Sequence, residues 1–313
     1  TADKNDVNDN YDITVVKGSM TIIKATTPEG EISIGNAKGE NLKKTYDGKS
    51  FGESPVVQGP EADVTLRDGD YEYFDANGNV VKDPTNAGDY TVKLTAAGIK
   101  AVADANSNYD LGDLTTLVNK ATISKAKATL TVTSNDEITY DGEAHSLDVV
   151  TEGAVNGETI TYTTGNNEHT TVGQYDVTVT ADKNDVNSNY DITVIGGSMT
   201  IVKATTSDGK ISIGDAQGDN LSKTYDGKTF ADSPVVQGPE NNVTLAVGDY
   251  AYYDKNGKEV TDPVNADDYQ IKLTASGIDK VKSANSNYDL GDLTTLVSKA
   301  TISKAQATLT VTS

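Results

Sequence analysis

Residues 1–134 of the chain return as residues 180–313 without insertion or deletion: Tyr46 recurs as Tyr225 and Tyr109 as Tyr288, at a period of 225 − 46 = 179 residues. Roughly three residues in four are identical between the copies, the mark of a tandem array whose role depends on length and repetition. An enzyme has little use for such an arrangement. Apolar residues exchange within kind (Val16/Ile195, Ile23/Val202, Phe74/Tyr253, Val92/Ile271), whereas other positions alter charge freely (Lys17/Gly196, Glu31/Lys210, Ala101/Lys280, Asp104/Ser283). Close-packed interiors resist volume changes and solvated positions do not, so the first set predicts core and the second predicts surface. A ligand pocket would add unchanged polar residues with no turn or capping role, and no clear cluster of that kind stands out.

With 313 residues and 35% hydrophobic content, the chain suits two to four domains with several small cores rather than one large one. Tyr (16) greatly outnumbers Phe (3), Trp is absent, and Thr and Val abound, which suits strands with one wet face and predicts a mainly β fold. The net charge is −21 and Arg67 is the sole arginine, so nucleic acid and anionic membranes are poor partners. Such acidity keeps an array soluble without naming a ligand. There is no cysteine, hence no disulfide staple and no thiolate chemistry. No apolar run is long enough for a membrane span, and no signal pattern opens the chain. It begins mid-pattern at Thr1, which reads as a fragment whose signal and anchor lie elsewhere.

Tyr-Asp-Gly occurs at Tyr46-Asp47-Gly48, Tyr140-Asp141-Gly142 and Tyr225-Asp226-Gly227, with spacings of 140 − 46 = 94 and 225 − 140 = 85. Each period therefore holds a longer and a shorter unit. After each triplet comes an alternating strand pattern, at 90–95, 175–180 and 269–274, then Asn-Ser-Asn-Tyr-Asp at 106–110, 187–191 and 285–289. Each unit closes on an Ile/Thr-rich strand ending in Lys-Ala: Lys125-Ala126, Lys203-Ala204 and Lys304-Ala305. Asn77-Gly78, Asn156-Gly157 and Asn256-Gly257 predict tight hairpin turns. Ala96–Asp104 and Ala275–Ser283 carry apolar residues three apart and predict one short helix in each longer unit, replaced by a turn at 181–187 in the shorter. The boundaries that follow are 1–24 (closing strands of a truncated short unit), 25–126 (long), 127–204 (short), 205–305 (long) and 306–313 (opening strand of the next). Linkers are almost absent, which predicts an elongated, stiff array of small β-sandwich or β-grasp-like domains. The two part-units leave unpaired edges, which predict docking of 1–24 or 307–313 on a neighbouring unit or molecule.

Few residues suggest chemistry. The motif tyrosines could stack on sugar rings, but a core ring with a bonded hydroxyl followed by an Asp-Gly turn explains the same triplets. Asp3, Asp6 and Asp12, with their copies Asp182, Asp185 and Asp191, crowd carboxylates enough to suggest calcium as a cofactor, although the glycine and terminal glutamate of an EF-hand loop are missing. Asx turns account for them equally, and the same holds for Asp110, Asp113, Asp289 and Asp292. The stretch Tyr71–Val80 echoes glucan- and choline-binding hairpins but has no Trp and occurs once per long unit, so it reads as an ordinary hairpin. His145 and His169, both in the unit that occurs once, have no nucleophile or metal spacing beside them and read as surface residues. A shared Lys-to-Asn isopeptide at Asn119 is excluded because the copy has Ser298.

The segments Lys44–Lys49, Asn86–Tyr90, Asn108-Tyr109 and Ala121–Ala126, in that order, resemble the MBG and YDG repeat domains of large bacterial surface proteins, including mucus-binding-type adhesins of lactobacilli and relatives. They recur in the second copy, with Gly88 replaced by Asp267, and more loosely in the short unit. The resemblance implies an extracellular array on a bacterial, Gram-positive-type surface, usually a stalk and not an enzyme. Two functions follow from it: a stalk that projects a distal binding domain, or repeats that themselves bind mucin glycans or other polysaccharide weakly and multivalently. Its nearest partners would be neighbouring repeats of the same chain.

Overall fold

The computed structural model describes residues 1–27, 32–135, 137–206 and 211–311. The chain is mainly β with two α-helices among the described residues, one in each long repeat. It divides into two compact units. One comprises Thr1–Thr129, Thr151–Thr161 and Ala181–Thr193; the other comprises Leu130–Val150, Tyr162–Thr180 and the chain from Val194 onward.

The first long repeat is built on a five-stranded sheet of order Leu42–Thr45, Val118–Ser124, Gly88–Leu94, Tyr71–Phe74 and Val80–Val81. Leu42–Thr45 runs parallel to Val118–Ser124, and the remaining pairs are antiparallel. Ser33–Gly35, Val56–Gln58 and Val64–Thr65 form a second, antiparallel sheet. The second long repeat reproduces both sheets, and its core gathers Val236, Leu245, Tyr252, Ile271, Val281 and Ile302. Alternation explains the larger sheet: in Gly88–Leu94, Tyr90 and Val92 face inward while Asp89 faces solvent and pairs with Lys120.

The expected helices form at Ala96–Ala105 and Ala275–Ala284. Thr95 caps the first by accepting from the Gly98 N–H, while its own hydroxyl donates to Gly69 O. Gly98 lies so close to the Asp70 carbonyl that any Cβ would collide with it, which explains the retention of glycine at 98 and 277. Beyond each helix a fully buried asparagine acts as an internal turn partner. Asn285 Oδ1 accepts from the Glu240 and Asn241 N–H groups, and its Nδ2 donates to Asn241 O and Val281 O. Asn106 does the same in the first repeat.

In the short repeat, Ile138–Thr139, Gly197–Val202, Gly173–Ala181 and Tyr162–Gly165 form a sheet in that order, and Val149–Glu152, Ala126–Val132 and Tyr190–Ile195 form another. As expected, no α-helix forms between its strands; a turn and the 3-10 segment Asn187–Asn189 take its place. Asn77-Gly78 and Asn256-Gly257 close hairpins. Asn156-Gly157 does not: both residues have positive φ (52° and 73°), but the strands flanking this turn belong to different sheets.

Substitution between copies identifies the core only in part: Phe74, Tyr253 and Val202 are half-buried and Ile23 is 82% exposed. Val92 and Ile271 are fully buried and Val80, replaced by Glu259, is exposed, but Val16 and Ile195 are exposed as well. Their exchange within kind reflects strand preference rather than packing. The terminal segments also correct the expectation of strands. Residues 1–24 contain only a 3-10 turn at Asn8–Asn10, and 305–311 carry no strand. Met20 is 85% exposed whereas its copy Met199 is 0%, and Leu309 is 96% exposed against 0% for Leu130. The strands beside Gly197–Val202 come from residues 138–139 and 173–181. Two strands without neighbours cannot hold an extended shape in water.

Replacing Asn285 by Leu strands the two N–H groups and two carbonyls that it serves and should lower stability by about 2–4 kcal/mol. Asn256→Ala in an exposed hairpin should change it by less than about 0.5 kcal/mol. Denaturant midpoints of the two variants test this directly.

Candidate functional site at the repeat joints

Each Tyr-Asp-Gly triplet begins as a turn sewn to the end of its own repeat. The Tyr46, Tyr140 and Tyr225 N–H groups donate to Ser124 O, Val202 O and Ser303 O at 2.7, 2.9 and 2.8 Å. Asp47 Oδ1 accepts from the Lys49 N–H and from the Lys44 ammonium, which also donates to Lys49 O and Ser50 O. The Lys44 contact, with the Lys49 N–H, holds the Asp47 carboxyl below the usual carboxylate range. Asp226 repeats this with Lys223 and Lys228. In the short repeat His145 Nε2, 3.0 Å from Asp141 Oδ1, takes the place of the lysine. Gly48, Gly142 and Gly227 have φ of 71°, 86° and 76°, the left-handed region the turn requires.

A second element comes from the strand after the triplet. The Tyr90, Tyr175 and Tyr269 hydroxyls donate to the carbonyl four residues earlier, Asn86 O, Thr171 O and Asn265 O, at 2.8, 2.8 and 2.9 Å. The loop so fixed holds out one N–H group, that of Ala87, Val172 or Ala266.

These two elements meet the Asn-Tyr pair of the following repeat. Within the first compact unit, Asn189 Oδ1 accepts from the Ala87 N–H at 2.8 Å, and the Tyr190 ring meets Tyr46 edge to face with centroids 5.5 Å apart. Glu158 lies between the two hydroxyls, accepting from Tyr46 Oη at 2.6 Å and from Tyr190 Oη at 2.5 Å. Tyr190 Oη also accepts from the Val155 N–H, and Asn156 Nδ2 donates to Asp47 O across the turn at Gly48. Burial, reinforced by the Glu158 carboxylate, pushes the Tyr46 hydroxyl up to about 12. Within the second compact unit, Asn287 Oδ1 accepts from the Val172 N–H at 2.9 Å, and Tyr288 meets Tyr140 edge to face, again at 5.5 Å. There Glu240 receives the Asn287 amide instead.

The Tyr46 and Tyr140 triplets are therefore parts of the joints between repeats. Tyr46 is 5% exposed and Tyr225 45% exposed. Residues considered for calcium take part in local turns: Asn187 Nδ2 donates to the backbone carbonyl of Asp182 and Asn189 Nδ2 to that of Asp185, while the Asp113 and Asp292 carboxylates cap short 3-10 turns. Asp3 and Asp6 likewise offer their carbonyls to Asn8 and Asn10, and Asp12 and Asp191 are exposed. Among the described residues no three His, Asp or Glu side chains gather as a metal cage. His145 and His169 pair through their backbones, and the His169 ring stacks on Tyr175 at 3.5 Å. Sequence reasoning missed Glu158 and gave Asn156 the wrong role. Both belong to the repeat that occurs once, where comparison of copies is silent.

The MBG domain model matches residues 34–125 and 212–304, and the MBG domain model of YGX type matches residues 129–200. No curated protein matches the chain. Among solved structures, a domain tandem from titin is 11% identical, covers 85% of this chain and 96% of its own, and has a TM-score of 0.23. The three N-terminal domains of the highly immunogenic outer capsid protein of bacteriophage RB49 are 9% identical, covering 88% of this chain and 99% of their own, with a TM-score of 0.23. Sidekick-1 immunoglobulin domains 1–5 are 11% identical, covering 88% and 59% respectively, with a TM-score of 0.19. At these TM-scores the three likenesses carry no argument about fold.

A double-mutant cycle of Tyr46→Phe with Glu158→Ala should give a coupling energy of about 1–2 kcal/mol in denaturant unfolding, and Tyr225→Phe should change stability by less than about 0.5 kcal/mol. The raised Tyr46 value fixes a pH dependence as well. Its contribution is complete below the ordinary tyrosine value near 10 and is lost as pH rises from about 10 to about 12. The melting temperature of the native chain should therefore fall more steeply across that window than that of Tyr46→Phe.

Proposed function

We propose that this chain, which belongs to the MBG domain family, provides structural stalk repeats of a bacterial cell-surface protein and holds a distal binding domain away from the surface that carries it. The observation behind this reading is the use of the recurring polar and aromatic residues. Tyr46, Asn189 and Tyr190, with Glu158, are engaged in joining one repeat to the next, as are Tyr140, Asn287 and Tyr288. A repeat whose most persistent side chains hold its neighbours is suited to extending a chain. The short spacers agree with it: Lys125 alone separates Val118–Ser124 from Ala126–Val132, and Lys203 alone separates Gly197–Val202 from Ala204–Thr205. No helix among the described residues is long and apolar enough to cross a membrane. On this reading the repeats lie outside the cell, and their acidity keeps a long array soluble.

Small-angle scattering from proteins with one, two and three long–short pairs should give a maximum dimension that rises in equal steps. A plateau would overturn the stalk reading. In parallel, a glycan array should stay blank for all three lengths. A signal that strengthens with repeat number would instead favour multivalent recognition of mucin glycans or wall polysaccharide.

A further inference from the structure

Among the described residues four pairs of tyrosine rings meet edge to face at nearly one distance. They are Tyr46 with Tyr190, Tyr140 with Tyr288, Tyr71 with Tyr73 and Tyr250 with Tyr252, with centroids 5.4 to 5.5 Å apart. The hydroxyls set the first pair apart. Those of Tyr46 and Tyr190 converge on one carboxylate, Glu158, at 2.6 Å to Oε1 and 2.5 Å to Oε2. At the second joint Glu240 accepts from the Asn287 amide instead, and the Tyr73 hydroxyl is buried with no partner among the described residues. The Tyr252 hydroxyl meets its neighbour Tyr250.

The first arrangement fits one kind of chemistry. A chain with no cysteine and no tryptophan leaves tyrosine as the side chain that most readily gives up a single electron. A tyrosine that loses an electron also sheds its hydroxyl proton, and burial together with Glu158 keeps the Tyr46 hydroxyl protonated at neutral pH. The proton therefore needs an acceptor already in hydrogen-bond contact, which Glu158 provides for both rings. Turning either ring about its Cβ–Cγ bond swings the Cε carbons, ortho to the oxygen, and leaves the hydroxyl where it is. The rings can thus bring Cε to Cε without leaving Glu158. At 5% and 2% exposure they are closed to tyrosines of other molecules, so each couples only with the other.

We propose that Tyr46 and Tyr190 are a site of oxidative modification, a dityrosine bond that staples the first joint, with Glu158 as the proton acceptor. A one-electron oxidant, such as a peroxidase with hydrogen peroxide, removes one electron from each ring. Each hydroxyl proton passes to Glu158, which is half-buried and hands it on to solvent. The two phenoxyl radicals join Cε to Cε, and the hydrogens on those carbons move to the oxygens as the rings become aromatic again. Two electrons and two protons have then left the pair, and one peroxide takes them up as two waters. The oxidant has no need to enter the joint, because electrons pass between aromatic rings through the protein. The bond closes a loop of 190 − 46 = 144 residues and makes the joint independent of its hydrogen bonds. It supplies the covalent staple that a cysteine-free chain otherwise lacks. It rests on the geometry of the joint, whether or not the array serves as a stalk.

Brief illumination of the full chain at low concentration with a ruthenium tris-bipyridyl complex and persulfate should produce the blue fluorescence of dityrosine. Peptide mapping should find the segment holding Tyr46 joined to that holding Tyr190, the pair lighter by two hydrogens, with Tyr71–Tyr73 and Tyr250–Tyr252 unlinked. The linked chain should melt at a higher temperature, and Tyr190→Phe should remove the product. Glu158→Gln, which keeps the shape but takes no proton, should cut the yield at least about tenfold at neutral pH. The yield should return as pH rises toward the ordinary tyrosine value of about 10, where solvent removes the proton. A merely structural Glu158 would not move that profile. The proposal is overturned by the absence of a Tyr46–Tyr190 bond, by an equal yield at Tyr71–Tyr73, or by a Glu158→Gln variant that links like the parent at neutral pH or fails to link in alkali. None of these readouts depends on the length of the array, so scattering that refuted the stalk would leave it standing.

Discussion

A backbone N–H that one repeat cannot satisfy is taken up by an asparagine of the next, and the arrangement of the joints follows from that exchange. An unpaired amide at a buried contact is costly, so the group that answers it fixes the register of the two repeats. Tyr90 and Tyr175 make the exchange possible by tying down the loops that present Ala87 and Val172. Once Asn189 or Asn287 is in place, the tyrosine after it can only fall against the motif tyrosine, and the edge-to-face contact adds about 0.5–1.5 kcal/mol to its buried area. Glu158 strengthens the first joint further, because hydrogen bonds to a carboxylate exceed those between neutral groups.

Much of this could be read from the amino-acid order. The helices at Ala96–Ala105 and Ala275–Ala284, the hairpins at Asn77-Gly78 and Asn256-Gly257, and the direct passage from one repeat to the next all follow from local periodicity and turn chemistry. The joints were only half legible. The Tyr-Asp-Gly triplets were evident as constant features, but their partners lie between 156 − 47 = 109 and 288 − 140 = 148 residues away, and spacing along the chain does not say which repeat a side chain faces. Glu158 is a single glutamate on a surface rich in them, and nothing in its neighbours distinguishes it. Asn156 carries the strongest hairpin signal of the short repeat, yet its positive φ serves a turn that reaches Asp47 instead of closing two strands.

The duplicated segments show how little strand preference achieves alone. Tyr11–Ile23 and Tyr190–Val202 are nearly the same words, and only the second forms strands. Val, Ile and Thr favour an extended backbone, but the preference amounts to a fit against neighbours and lapses without them. The Asn8–Asn10 turn, closed by bonds to its own backbone, persists in both settings.

The parallel pairing of Leu42–Thr45 with Val118–Ser124 has a mechanical consequence. Tension pulled along the chain leaves the repeat through Val118–Ser124 and draws it past a neighbour aligned in the same direction. Such a pair slides lengthwise instead of unzipping from one end, so its ladder bonds resist together. A repeat fastened in this way yields to traction only after several bonds have broken at once.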